Sequence, residues 1–261
     1  MKRLFELALP LLLGVAVLAF WQWAVRARGI PVYVLPAPSD IARALAANFT
    51  SLMTSLAFTL TVTVEAFLVA LAAGVALAIA FSQSRLLERM LYPYAVILQV
   101  TPVVAIAPLI LIWVGFDHVQ TALVLIATLV AFFPILSNTA LGLKSADFNL
   151  VDLMRLYGAS RWQILWRLRL PTALPFLLGA MKIAGGLALI GAVVAEFVAG
   201  SGTATGLAWR IVEAGYRLEI ATMFAALALL ALLGIAIFAA LSALERLLLR
   251  RWHESALIRP L

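Results

Sequence analysis

Apolar residues fall into long runs in this chain, and short polar segments separate them. A helix needs about 20 consecutive apolar residues to cross the hydrocarbon core of a bilayer. Six runs reach that length, at about residues 7–25, 56–81, 92–114, 121–141, 173–197 and 221–244. The pattern predicts an all-α membrane protein with six transmembrane helices. Lys2 and Arg3 precede the first run as they would in a signal peptide. That run is long, and Ala24-Val25-Arg26-Ala27-Arg28 supplies no small-x-small cleavage site, so it reads as an uncleaved span. Pro31 to Pro38 reads as extended chain, because each proline disfavours helix in the residue before it. Ser39 is then expected to cap a short interfacial helix reaching about Phe49. Residues 200–216 open on the breaker run Gly-Ser-Gly-Thr-Ala-Thr-Gly and continue into an amphipathic piece with Trp209 and Arg210. The domain reading is 1–55 for the first transmembrane helix with an outer amphipathic segment, and 56–261 for a core of five transmembrane helices.

One segment inside that core breaks the apolar pattern. Residues 144–171 carry Lys144, Arg155, Arg161, Arg167 and Arg169. Asn149 is placed to cap a helix running through Tyr157, with Asp152 favouring its positive end. Gly158 stands where a left-handed residue closes a helix. Ser160 and Gln163 have capping-box spacing and open a second helix, which Pro171 is expected to end. The segment therefore reads as a rigid helical hairpin rather than a loose loop.

Charge sets the orientation. With the N-terminus inside, thirteen of the nineteen Lys and Arg residues fall on the inner side, five on the outer side, and Lys182 within a span. The positive-inside rule thus predicts that both termini and the 144–171 hairpin are cytoplasmic.

Composition narrows the function. The chain is 65% hydrophobic and 12% charged, against about 25% charged for a soluble domain. Cysteine is absent, which removes disulfides, thiol nucleophiles and cysteine metal sites. His118 and His253 are too few for a histidine-rich metal cluster. A net charge of +7 suggests nucleic acid when taken alone, but the basic residues flank apolar runs, so orientation in the membrane accounts for them. No Gly-x-x-x-x-Gly-Lys-Ser/Thr phosphate loop is present. The glycine-rich run 200–206 lacks the lysine and follows a span on the outer side.

Gly158, followed nine residues later by Leu168-Arg169-Leu170-Pro171, resembles the signature of binding-protein-dependent ABC importer permeases: Glu-Ala-Ala, three residues, Gly, nine residues, Ile-x-Leu-Pro. Here Asp152-Leu153-Met154 replaces the first triplet and Leu168 replaces Ile. Gly158–Gln163, Leu35–Ser39 and Thr101–Leu109 resemble the nitrate, sulfonate and taurine subgroup, and Gly186–Phe197 looks closest to its thiamine-pyrimidine and riboflavin precursor branch. The resemblance implies a type I importer permease fold with 144–171 as the cytoplasmic coupling hairpin. It implies ATPase-coupling roles for Asp152, Arg155, Leu156, Tyr157, Gly158, Ala159, Ser160, Leu170 and Pro171. It further implies a non-enzymatic subunit in the bacterial plasma (inner) membrane. Its partners would be the lipid bilayer, a second copy as homodimer, an extracytoplasmic substrate-binding protein and separate cytoplasmic ABC ATPase subunits. No cofactor is expected on this chain and no nucleic acid partner; ATP and Mg belong to the ATPase.

Ionisable residues within spans are costly and often mark function. They are Glu65, Lys182 and Glu196. Thr61 and Glu65 share one helix face, which could line a polar passage. Lys182 is read as snorkelling or bonding a backbone carbonyl, and Glu196 as either a gate or an interfacial anchor. The pathway candidates are Thr61, Glu65, Gln99, Thr101 and Glu196, with no metal ligands and no catalytic residues. Pro102 and Pro108 should loosen span three, while Gly185, Gly186 and Gly191 should permit close helix approach in span five. An intramembrane enzyme or a membrane scaffold are the alternatives. The enzyme needs a nucleophile–base pair or metal ligands at depth, which neither histidine supplies.

Overall fold

The computed structural model describes residues 2–199 and 205–249. His253 and residues 200–204 of the glycine-rich run lie outside the described residues. All regular structure within them is helical: α1 (Lys2–Ala27), α2 (Pro38–Ala47), α3 (Phe49–Gln83), α4 (Arg85–Val100), α5 (Val103–Val114), α6 (Val119–Lys144), α7 (Phe148–Leu156), α8 (Arg161–Ile164), α9 (Leu170–Ala199), α10 (Leu207–Tyr216) and α11 (Ile220–Leu249). Five helices among the described residues are individually long and apolar enough to cross a membrane, and the bent pair of α4 with α5 brings the number to six if counted as one span.

The expected third span, 92–114, is therefore not one straight helix. Its two halves meet at 103°. Pro102 has no N–H to donate and disfavours helix at Thr101, whose ψ is 126°. The Thr101 hydroxyl instead donates to the Ile97 carbonyl at 2.7 Å. At ~1.5 Å per residue, α4 and α5 are about 24 and 18 Å long. Neither alone covers a core of about 30 Å.

The chain divides into two compact units. The first comprises Met1–Phe58 and Thr205–Ala231. There, α2 begins one residue before the expected Ser39 cap, because Pro38 suits the first helical position. The Asp40 carboxylate accepts from the Ala37 N–H at 3.2 Å and pairs with Arg26 of α1 at 2.8 Å. Ser39 Oγ accepts instead from Gln22 and Arg26 of α1.

The second unit comprises Thr59–Ala204 and Leu232–Leu261. Its centre is the contact of α6 with α9, made close by small residues. A Cβ on Gly191 would sit 2.7 Å from Ala127 Cα, and one on Gly142 2.9 Å from Ala173 Cα. Gly185 similarly admits Leu241 of α11. Among the described residues nothing lies within 4 Å of where a Cβ on Gly186 would stand.

Pro171 does not end the second hairpin helix as expected. Leu165–Arg169 forms a π turn, and the Leu170 N–H bonds back to the Leu165 carbonyl. Widening the helix by one residue accommodates the proline ring and its missing donor. The helix then continues, so Arg161–Ala199 runs as one rod of 39 residues.

Candidate functional site

The segment between α6 and α9 builds a rigid turn from short-range bonds. Asp147, not Asn149, caps α7: its carboxylate accepts from the Asn149 N–H at 2.8 Å. Asn149 already lies within the first turn, so the cap falls two residues earlier than the sequence suggests. At the other end Gly158 adopts φ +75°. The Gly158 N–H donates to the Arg155 carbonyl and the Ala159 N–H to the Met154 carbonyl, each at 2.9 Å. These two bonds make a Schellman closure. Ser160 and Gln163 complete the expected capping box, with N–H donors at 2.7 and 3.3 Å from the opposite side chains. Beneath the turn, Ala146, Val151 and Ile164 are buried against Met154, Ala159 and Leu168.

Because that small core absorbs one face, the other is left bare. Leu156 is 86% exposed, Tyr157 84% and Phe148 80%. Leu150, Leu153, Trp162 and Trp166 are also exposed. Asp152 sits one helical turn before the tip and pairs with Arg155 at 3.0 Å. Thus Arg155, Leu156, Tyr157, Gly158, Ala159 and Ser160 form one contiguous turn with Asp152 beside it. Leu170 and Pro171 stand apart, half-buried at the start of α9. Sequence reasoning overlooked Phe148 and Trp162; large apolar residues in an otherwise polar segment were the signal for them.

The polar residues of the spans divide between two faces of α3. Thr59 and Thr63 are buried with Val62, Ala66 and Ala70. Thr59 Oγ1 donates to Glu196 Oε1 at 2.7 Å, and Glu196 is fully buried. Thr61 and Glu65 lie on an exposed face. There Gln120 Nε2 of α6 donates to both Glu65 carboxylate oxygens, at 3.3 and 3.2 Å. Gln99 is exposed near the end of α4, and Thr101 occupies the bend. The contacts therefore set Glu196 with Thr59 and Glu65 with Gln120, on different sides of α3.

Lys182 pairs across to another helix, a partner the sequence reading does not name. Its Nζ donates to Glu245 Oε2 of α11 at 2.6 Å. Glu245, a lone acid just beyond the sixth apolar run, went unremarked in the sequence.

Long apolar helices, a bent α4–α5 pair and a capped, apolar-tipped turn between α6 and α9 define a multi-pass membrane protein. Residues 70–253 match the family of binding-protein-dependent transport system inner membrane components. The chain belongs to that family, and is an ABC importer permease with a multi-pass inner membrane location. It is 38% identical over 253 residues to the riboflavin transport system permease protein RibX of Chloroflexus aurantiacus, covering 95% of this chain and 91% of the relative. It is 33% identical over 250 residues to the formylaminopyrimidine transport permease protein ThiX of Halalkalibacterium halodurans, covering 95% and 98%. The putative aliphatic sulfonates transport permease protein SsuC of Bacillus subtilis is 30% identical over 247 residues, covering 94% and 87%. Among solved structures, the inward-facing MetNI methionine ABC transporter superposes with a TM-score of 0.58 at 23% identity, over 76% of this chain and 94% of the other. That likeness concerns the fold alone.

Proposed function

We propose that this chain forms half of a translocation pathway, pairs with a second copy, and is driven by a separate cytoplasmic ATPase docked on the 156–160 turn. The observation that carries this reading is the turn itself. Leu156 and Tyr157 project into solvent from a backbone fixed by the Schellman closure and the capping box. An exposed leucine gains about 1.5–3 kcal/mol on full burial, so a groove on a partner would recover what this surface leaves unused. A rigid turn also transmits force, whereas a loose loop would absorb it. ATP and Mg would reside on the partner, and their turnover would rock the spans between inward-open and outward-open states. In this reading both termini and the turn are cytoplasmic, in keeping with the distribution of Lys and Arg.

An extracytoplasmic binding protein delivers the solute. Thr61, Glu65, Gln99 and Thr101 are the polar groups offered to the passage, while Glu196 is buried against Thr59 on another side of α3. The solute class best supported is a pyrimidine- or flavin-type vitamin precursor. RibX and ThiX match over 95% of this chain at 38% and 33% identity, above the sulfonate relative at 30%. Mass spectrometry of ligand retained by the cognate binding protein tests the class. A flavin or pyrimidine is the expected result, and a sulfonate would overturn it.

A further inference from the structure

Beside the 156–160 turn lies a cavity of about 720 Å³ walled by Arg85, Arg155, Arg161 and Arg169, with Ser82 and Ser84 among its other lining residues. No carboxylate lines it among the described residues. An adjoining cavity of about 840 Å³ shares Ser82, Arg85, Arg155 and Arg169 and adds Glu88 and Asp152. Both of these acids are already engaged, Glu88 by Lys144 and Asp152 by Arg155.

The guanidinium groups are unequally occupied. Arg155 is held by Asp152, and Arg169 Nη1 donates to the Ser82 carbonyl at 3.1 Å. No side-chain hydrogen bond or ion pair joins Arg85 or Arg161 to another described residue. With Arg155 paired, Arg85, Arg161 and Arg169 leave three like charges around one concave space, and an anion between them would offset their repulsion. The α3–α4 link adds to the positive field. Ser84 caps the 16-residue α4, and the N-terminal end of that helix carries partial positive charge toward the cavity rim.

We propose that this cavity binds a phosphate group. Guanidinium forks match phosphate oxygens two at a time, and a phosphate offers enough oxygens to engage several forks at once, where a carboxylate satisfies one or two. The volume lies within the range of small-ligand sites. Its wall is shared by the adjoining ends of α3 and α4 (Ser82, Arg85) and by the turn segment (Arg155, Arg161), so an occupied site ties these two segments together. The phosphate has two possible sources: the headgroup of an anionic phospholipid, or a soluble phosphate ester. Trp162 and Trp166, exposed on the same helical segment as Arg161 and Arg169, are residue types that settle at headgroup level. This inference does not depend on which solute the chain carries; because Arg155 and Ala159 of the proposed docking turn line the cavity, it is tested on the permease chain without its ATPase.

The full chain, purified in detergent, is the material for the test. Native mass spectrometry counts retained phosphatidylglycerol against phosphatidylcholine. Separate titrations with inorganic phosphate and with glycerol 3-phosphate follow the thermal unfolding midpoint. The wild type is expected to bind at least one of these probes. Arg85→Gln with Arg161→Gln should weaken that binding about tenfold or more, the scale of a lost charge-assisted hydrogen bond. Arg28→Gln, in the other compact unit, should leave it unchanged. Retention of phosphatidylglycerol without response to the soluble anions assigns a lipid headgroup site; response to the soluble anions assigns a soluble ester site. Arg161→Gln alone gives the same reading with a smaller loss, should the double variant fold poorly. Absence of binding by the wild type to every probe, or undiminished binding by the Arg85/Arg161 variants, would overturn the proposal.

Discussion

Thr59 and Glu196 are joined by a 2.7 Å hydrogen bond between α3 and α9, with the carboxyl group fully buried. The two residues are 137 positions apart in the chain. A buried polar group is costly without a partner, so this bond favours the observed pairing of α3 with α9. Replacing Thr59 with Val keeps the shape and removes the donor. The expected cost is about 1–2 kcal/mol, read as a lowered unfolding midpoint in detergent. Glu196→Gln, which can still accept from Thr59, should lose less. Equal stability of Thr59→Val and the wild type would reduce this bond to a bystander.

Lys182 and Glu245 make the second cross-helix tie. Removing one member strands the other in a partly buried site, whereas removing both restores balance. Lys182→Met should therefore destabilise the protein more than Lys182→Met combined with Glu245→Leu. A double-mutant cycle is expected to give a coupling of at least about 1 kcal/mol. Additive effects would mean that the pair contributes nothing beyond its separate residues.

Gly158 holds the tip of the turn in a left-handed conformation, φ +75°, with nothing within 4 Å of where a Cβ would stand. Space is available there, so only backbone strain opposes a side chain. Asn tolerates this conformation and a β-branched residue does not. Gly158→Val should cost about 1–2 kcal/mol locally and reduce ATPase co-purification and uptake, with membrane insertion intact. Gly158→Asn should retain both. If the two variants behave alike, the left-handed closure is irrelevant to docking.

Ser160 and Gln163 hold the other flank of the turn. Ser160→Ala removes an acceptor for the Gln163 N–H and should cost about 1 kcal/mol. Faster amide hydrogen exchange across residues 160–164, measured in the purified protein, is the expected signature. Unchanged exchange would show that the turn does not rely on this box.

Local chemistry made much of this legible in advance. The capping box and the left-handed Gly158 follow from residues within a few positions of each other, as do the long apolar runs. What the sequence hid was either competitive or distant. Asp147 and Asn149 both can cap a helix, as Pro38 and Ser39 both can start one; backbone geometry chose between them. Pro102 and Pro171 carry the same local penalty, yet the chain bends through 103° at the first and passes the second through a π turn. Packing around each proline decides that outcome, and no short window contains it. The Thr59–Glu196 and Lys182–Glu245 pairs join residues 137 and 63 positions apart. The sequence marks each charged member as costly but is silent on its partner.

The chain contains no cysteine, so a single thiol can report on the turn without background. Tyr157→Cys, carrying a short photo-crosslinker and assembled with its ATPase in membranes, tests the central claim directly. The account expects a covalent adduct with the ATPase, and no labelling of Cys at this position by a membrane-impermeant maleimide applied outside intact cells. Labelling from outside, or an assembled complex that yields no ATPase adduct, would contradict it.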